Sequence, residues 1–262
     1  MRLAPLHAIE TTGLLTIKLF GSVGHFLLLF RNVLILSLTP PFRRRLILQQ
    51  MEFIGNQSFK IIIISGFFIG AVFSLQIGTI FTIFGAEGLI GAVNAKALSR
   101  ELSPLMTGFL ISGRAGAAIT AEIATMKVNE QIDAMEAMAV NPISYLVVPR
   151  FVASTVMIPI LVGIFNFAGQ LGAIIVGIFI FDVDLAVFFE KFKNMVDLSD
   201  ILRGLEKALI FGIIIALLAC QFGLKASGGA KGVGEATTNC VVTTLLTLLA
   251  VDFFITYIQI TW

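Results

Sequence analysis

Charged side chains placed in or beside long apolar stretches are where this sequence could do chemistry. They include Arg100, Glu101, Arg114, Glu122 and Asp252. Two carboxylates such as Glu122 and Asp252 are the raw material of a general acid and base, but nothing in their spacing recommends them as a pair. The two histidines, His7 and His25, both precede the first long uncharged run. That leaves no Ser–His pair deep in the chain and no histidine-based metal cluster. The stretch Gly228-Gly229-Ala230-Lys231-Gly232-Val233-Gly234 has the glycines of a phosphate loop. A Walker sequence requires Ser or Thr after the lysine, and here Gly232 follows. No catalytic residue, metal site or cofactor is expected. Cys220 and Cys240 lie in or beside apolar segments; they could pair in principle, and read more simply as small buried thiols between helices.

What these charges meet is lipid. Of 262 residues, 57% are hydrophobic and 13% charged, about half the roughly 25% of a soluble domain. The net charge of +2 argues against a nucleic-acid partner. An arginine well inside an apolar helix costs roughly 2.5 kcal/mol or more unless it faces protein or water. Arg114 should therefore point into a bundle, bonding carbonyls or a carboxylate to fix helix packing, or contacting a lipid phosphate.

The elements that must position these residues follow from the hydropathy pattern. A segment from about Thr12 to Leu38 is apolar but carries Lys18, His25 and Arg31, as an interfacial helix does. Pro40-Pro41 ends it and Arg43-Arg44-Arg45 follows, a basic cluster that belongs on the cytoplasmic side. Five spans are expected: Ile61 to Ala86, about Leu102 to Ala121, Phe151 to Phe181, about Leu205 to Gly223, and about Thr237 to Tyr257. The first contains Gly66-x-x-x-Gly70, a candidate face for close helix contact. The third exceeds what a span needs, so it should tilt, extend past the bilayer or break near Pro159. A polar loop with Asp182, Asp184, Glu190, Lys191 and Lys193 is expected on the outer side, and a glycine-rich loop at 228–234 on the inner side. Basic residues are more numerous on the inner side of this arrangement, which supports the orientation.

Between the second and third spans lies a different kind of segment. A short amphipathic helix from about Thr125 to Ala139 puts Asn129, Glu130, Asp133 and Glu136 on one arc and Val128, Ile132, Met135, Met138 and Ala139 on the other. It is too short and too charged to cross a membrane. Its acidic polar face is unsuited to anionic headgroups, which leaves docking to a soluble partner, and Asn141-Pro142 ends it. The fold class is thus an all-α integral membrane protein: an N-terminal interfacial helix over residues 1–50, then a transmembrane domain over 51–262 with the docking helix at about 125–139.

The same region resembles the MlaE-type permease family, the membrane subunits of ABC lipid transporters that work with MCE-domain proteins. The matching residues are Glu101-Leu102-x-Pro104, Gly113-Arg114-x-Gly116-Ala117, Ala121-Glu122, Thr125-Met126-x-Val128, Glu130-Gln131-Ile132-Asp133-Ala134 and Asn141-Pro142-x-x-Tyr145-Leu146-Val147-x-Pro149-Arg150. A second block, Gly228-Gly229-Ala230-x-Gly232-Val233-Gly234-x-Ala236-Thr237-Thr238, matches in the right order. In small departures, Ala124 and Ala139 stand where glycine is common in that family, Asn129 where threonine is, and Ser112 replaces a usual alanine. The resemblance implies a homodimer around a phospholipid-sized pocket in a bacterial inner membrane, consistent with an N-terminus that has neither a cleavable signal nor a transit-peptide composition. It implies a separate ABC ATPase bound through Glu130, Gln131, Asp133 and Met135, an MCE-domain protein outside, and in some systems a STAS-domain subunit. Arg100, Glu101 and Arg114 become candidates for the lipid pocket, with Glu122 and Asp252 as structural polar residues. An ATPase-independent secondary transporter or channel is the alternative, although no internal repeat of the usual kind is evident; a structural membrane anchor is a third.

Overall fold

The computed structural model of the protein describes residues 21, 24, 26–40 and 42–261. The start of the expected interfacial segment, with His7, Lys18 and His25, lies outside these residues, as does Pro41. Every regular element among the described residues is helical.

Helix α1 (Phe26–Leu38) is short and apolar. At 1.5 Å per residue it reaches about 20 Å, well under the ~30 Å of a bilayer core. It docks by one face: Val33 is fully buried, and Phe30 meets Phe151 with ring centroids 6.3 Å apart. Its other face leaves Leu27, Leu28, Leu34 and Leu38 exposed.

Helix α2 (Arg44–Ile83) is 40 residues long. It begins at the basic cluster rather than near Ile61, because a helix need not stop where the bilayer does. Gly85 turns the chain with φ 62°, and a single 3₁₀ turn, Glu87–Leu89, leads into a long helical run. That run comprises α3 (Ile90–Ala97), α4 (Ser103–Ile111) and α5 (Ala117–Val128). They are joined by two π turns, Leu98–Leu102 and Ser112–Gly116, at which the backbone stays in the right-handed helical region. The expected second span is therefore part of a longer element that starts at Ile90 instead of near Leu102.

Helix α6 (Gln131–Ala137) follows, then a third π turn (Ile143–Val147) and α7 (Val148–Phe179). Pro159 sits inside α7 without breaking it. The expected outer polar loop is instead a helix, α8 (Leu185–Met195), capped by Asp184 Oδ1, which accepts from Ala186 N at 2.7 Å and Val187 N at 3.3 Å. Leu185, Phe188, Phe189 and Phe192 recur at helical spacing among the charges, and Phe188 is buried beside Ile90 and Val183. Helix α9 (Leu198–Leu224) starts with a reciprocal capping box between Asp197 and Asp200. Helix α10 (Gly229–Thr261) starts within the glycine-rich stretch that was expected to be a loop; Gly228 and Gly229, at φ 88° and 71°, make the turn into it.

Four helical segments are long and apolar enough to cross a membrane: α2, α7 with its preceding π turn, α9 and α10. The interrupted run from Ile90 to Val128 is the fifth long element. Helix α9 is central, with 67% of its most apolar window buried, and α10 peripheral, with 11%.

The most extensive helix pairing is α2 with α7. Ser58, Ile62, Gly66, Gly70, Ser74 and Gly78 form one buried stripe on α2 at four-residue spacing. The Gly66–Gly70 face is thus a helix contact, as its spacing suggests. A Cβ on Gly70 would stand 2.1 Å from the Gly169 carbonyl oxygen, and one on Gly172 would stand 2.2 Å from that of Phe67. Ser74 Oγ adds a hydrogen bond across this seam, donating to Ala173 O at 3.4 Å, and Asn94 Nδ2 of α3 donates to Gly70 O at 3.2 Å.

Candidate functional site

Two polar assemblies stand out at different levels of the bundle. The first surrounds α6. The amphipathic segment expected as one helix from about Thr125 to Ala139 is divided: α5 ends at Val128, and Glu130 turns the chain with φ 59° before α6 begins. Ala139 closes the other side, also at φ 59°. Both are residues for which the left-handed region is unfavourable by about 1–2 kcal/mol, so α6 sits between two strained joints. Glycine fits the Ala139 backbone without that strain. Ala139→Gly is expected to raise the protein's thermal unfolding midpoint, a gain of up to about 1 kcal/mol after the entropy that glycine adds to the unfolded chain.

Helix α6 is anchored by Ile132, which is 3% exposed, and by Lys127 Nζ, which donates to Asp133 Oδ1 at 2.6 Å. That hydrogen bond is the main reason the Lys127 ammonium holds its proton above the usual lysine range, with Glu136 and Glu130 adding attraction. Glu130, Gln131, Asp133 and Glu136 face solvent and Met135 is half-buried. Beside them runs a groove of about 570 Å³ lined by Lys127, Ile132, Glu136, Val140, Pro142 and Leu224, among others.

The π turn that follows α6 is gripped by two arginines. Arg43 Nη1 donates to Ser144 O at 3.1 Å and to Ser144 Oγ at 2.6 Å, and its guanidinium lies 5.2 Å from the Tyr145 ring centroid. Arg150, almost fully buried, donates from Nη1 to Leu146 O at 2.7 Å, and its Nη2 meets Glu122 Oε1 at 2.9 Å. Glu122 is half exposed, so the net worth of the ion pair is small next to what stranding the buried guanidinium would cost. Asn141 Oδ1 completes the turn by accepting from Ile143 N at 2.9 Å and Ser144 N at 3.3 Å.

The second assembly joins the interrupted run to α9 and α10. Lys207 is fully buried; its ammonium donates to Glu101 Oε2 and to Thr256 Oγ1 at 2.7 Å, and forms an ion pair with Asp252 Oδ1, 3.1 Å away. Thr256 Oγ1 in turn lies 3.2 Å from Glu101 Oε2. Adjacent Arg100 goes elsewhere: its Nη1 is 3.6 Å from Asp200 Oδ1, and Lys96 Nζ is 3.7 Å from Asp200 Oδ2. Consecutive residues of one π turn thus enter two different acid–base clusters, one through Asp200 and the other through Lys207 of α9.

Arg114, in the other π turn, belongs to neither. Its Nη1 donates to Phe53 O at 3.0 Å and Ser58 Oγ at 2.7 Å, its Nη2 bonds Gln57 Oε1, and its guanidinium lies 5.1 Å from the Phe53 ring. It ties the run to α2 and so fixes helix packing. Asp252 pairs with Lys207, Glu122 with Arg150, and Cys220 and Cys240 are buried free thiols. The residue missed by sequence reading is Lys207. Its signal in the sequence is slight: a lysine early in an apolar helix calls for a carboxylate without saying which.

The permease MlaE family matches residues 47–258. Among curated proteins, a probable ABC transporter permease protein of Synechocystis sp. is 42% identical over 216 residues, 82% of each chain. One from Rickettsia typhi is 39% identical over 251 residues, 96% of this chain and 97% of its own. One from Pyropia yezoensis is 40% identical over 229 residues, 87% of each. The chain belongs to the MlaE permease family.

Proposed function

We propose that this chain is the permease subunit of an ABC transporter that moves phospholipid between the inner and outer membranes of a bacterial envelope, driven by a separate ATPase. The observation that carries this reading is α6: an exposed acidic helix held between two long apolar elements, in a chain whose relatives are named probable ABC transporter permeases. Glu130, Gln131, Asp133 and Met135 form the surface that the ATPase grips. The end of the bundle carrying Arg43, Arg44, Arg45, Lys127, Arg150 and Lys225 then faces the cytoplasm, in keeping with the positive-inside rule.

Two copies of the chain enclose the lipid, an MCE-domain protein receives it at the outer end, and a STAS-domain subunit joins in some assemblies. Residues 1–50 serve as the interfacial segment and 51–262 as the transmembrane domain. Arg100 and Glu101 form the polar rim for the headgroup. Glu101 keeps a third of its side chain accessible, and an apolar groove of about 260 Å³ lined by Phe68, Ile69, Val72, Phe73, Gln76 and Leu102 suits an acyl chain. Arg114, engaged with Phe53, Gln57 and Ser58 of α2, acts as a packing residue away from the rim.

Affinity purification in mild detergent tests the docking surface. The wild-type chain is expected to bring down an ATPase with bound phospholipid, and Glu130→Lys with Asp133→Lys to lose the ATPase, since reversing charges at an interface can cost several kcal/mol of binding. Retention of the ATPase by this double variant would refute the assignment.

A further inference from the structure

Whatever α6 binds, its movement has to reach the spans through a small number of connections. The helix joins its neighbours through one left-handed residue on either side, Glu130 before it and Ala139 after, and Lys127–Asp133 ties it to the end of α5. The link onward to the other long elements is polar. The π turn that leads from α6 into α7 presents two carbonyl oxygens, of Ser144 and Leu146, and each is held by an arginine. Arg43 reaches the first from the start of α2. Arg150 reaches the second from within α7 and simultaneously pairs with Glu122 of α5. Three long elements therefore converge on five residues of turn.

We infer that Glu122, Arg150 and Arg43 are positioning residues for coupling: they convert displacement of α6 into joint movement of α5, α7 and α2. This deepens the proposed function and rests on the docking role of α6. Arg150 is the central member because it has two distinct partners. A guanidinium can hold a carbonyl and a carboxylate at once through separate nitrogens, while a lysine ammonium in the same place has one nitrogen and a shorter reach. The pair also has one partner buried and the other half exposed. A π turn is a frequent location for functional irregularity in helices, and this one lies where the docking segment enters a span.

The test uses the permease reconstituted with its ATPase in liposomes, with ATP hydrolysis and movement of a fluorescent phospholipid measured in the same preparation. Glu122→Gln and Arg150→Lys are expected to leave ATPase co-purification close to wild type; Glu122→Gln, whose amide oxygen still accepts from Arg150, also keeps its thermal midpoint, whereas Arg150→Lys lowers it. Lipid moved per ATP hydrolysed should fall roughly fivefold or more, the usual scale of a lost coupling. An unchanged ratio in both single variants, beside a coupled wild type, overturns the inference while leaving the docking reading intact. A wild-type chain that binds no ATPase overturns both. Should Arg150→Lys fail to fold, Glu122→Gln decides alone, since its side chain is half exposed and the change preserves its shape.

Discussion

Lys207→Met is expected to destabilise the solubilised protein more than any other single change among its charged residues. The substitution removes an ammonium that is fully buried and leaves the Glu101 and Asp252 carboxylates facing each other without a cation. Breaking a buried ion pair from one side costs about 3–5 kcal/mol. Glu101 keeps some access to solvent, which places the effect toward the lower end of that range. The thermal midpoint should fall clearly and, on the proposed function, phospholipid transfer should fall with it. Stability and function then separate in the triple variant Lys207→Met, Glu101→Gln, Asp252→Asn. Its neutral amides can hydrogen-bond one another and Thr256, so most of the lost stability should return. If the charged rim serves the headgroup, transfer should not return. Wild-type melting of Lys207→Met would show that the cluster is not held as described.

The second large effect concerns the seam between α2 and α7. Gly70→Leu is expected to abolish the folded bundle, and Gly70→Ala to lower its stability by about 1–3 kcal/mol or more. The reason is the nature of the neighbour. A new Cβ would lie 2.1 Å from the Gly169 carbonyl oxygen and 2.6 Å from its carbonyl carbon, and backbone cannot swing aside as a flexible side chain can. Relief requires the two helices to separate along a stripe that continues to Ser58 in one direction and Gly78 in the other. Gly163→Ala is the control: a Cβ there meets nothing within 4 Å, and the better helix propensity of alanine should add up to about 1 kcal/mol. Thermal unfolding and the monodisperse fraction after purification report both. Equal behaviour of Gly70→Ala and Gly163→Ala would rule out close packing at Gly70.

The long apolar elements were legible because an uncharged run has few other uses in a chain so poor in charge. Their ends were not, because hydropathy marks the bilayer and the backbone continues beyond it, as α2 does from Arg44 and α10 from Gly229. Gly66 and Gly70 were visible as a motif, while Ser58, Ser74 and Gly78 looked like ordinary small residues until the partner helix was in place. Helix α8 was read as a loop because its charges obscured the spacing of Leu185, Phe188, Phe189 and Phe192. The break at Glu130 carried no glycine or proline to announce it. Ala139 did leave a trace, as an alanine where relatives of the resembled family commonly have glycine; the left-handed backbone there supplies the physical reason. Lys207 escaped because its partner Glu101 is 106 residues away, a distance over which periodicity carries no information.

The two π turns in the run from Ile90 to Val128 have a consequence for phase. Each adds one residue to the α-helical repeat, and one residue corresponds to about 100° of rotation around the axis. An uninterrupted α-helix that directed Glu101 toward Lys207 would present Thr120 and Glu122 on the wrong side, away from Ala219 O, to which Thr120 Oγ1 donates at 3.1 Å, and from Arg150. The extra residue at Ser112–Gly116 resets the azimuth between these points. One continuous rod thereby meets α9 through its acidic residue at one end and clasps the Arg150 turn at the other, a combination of directions that regular helical geometry over the same residues does not permit.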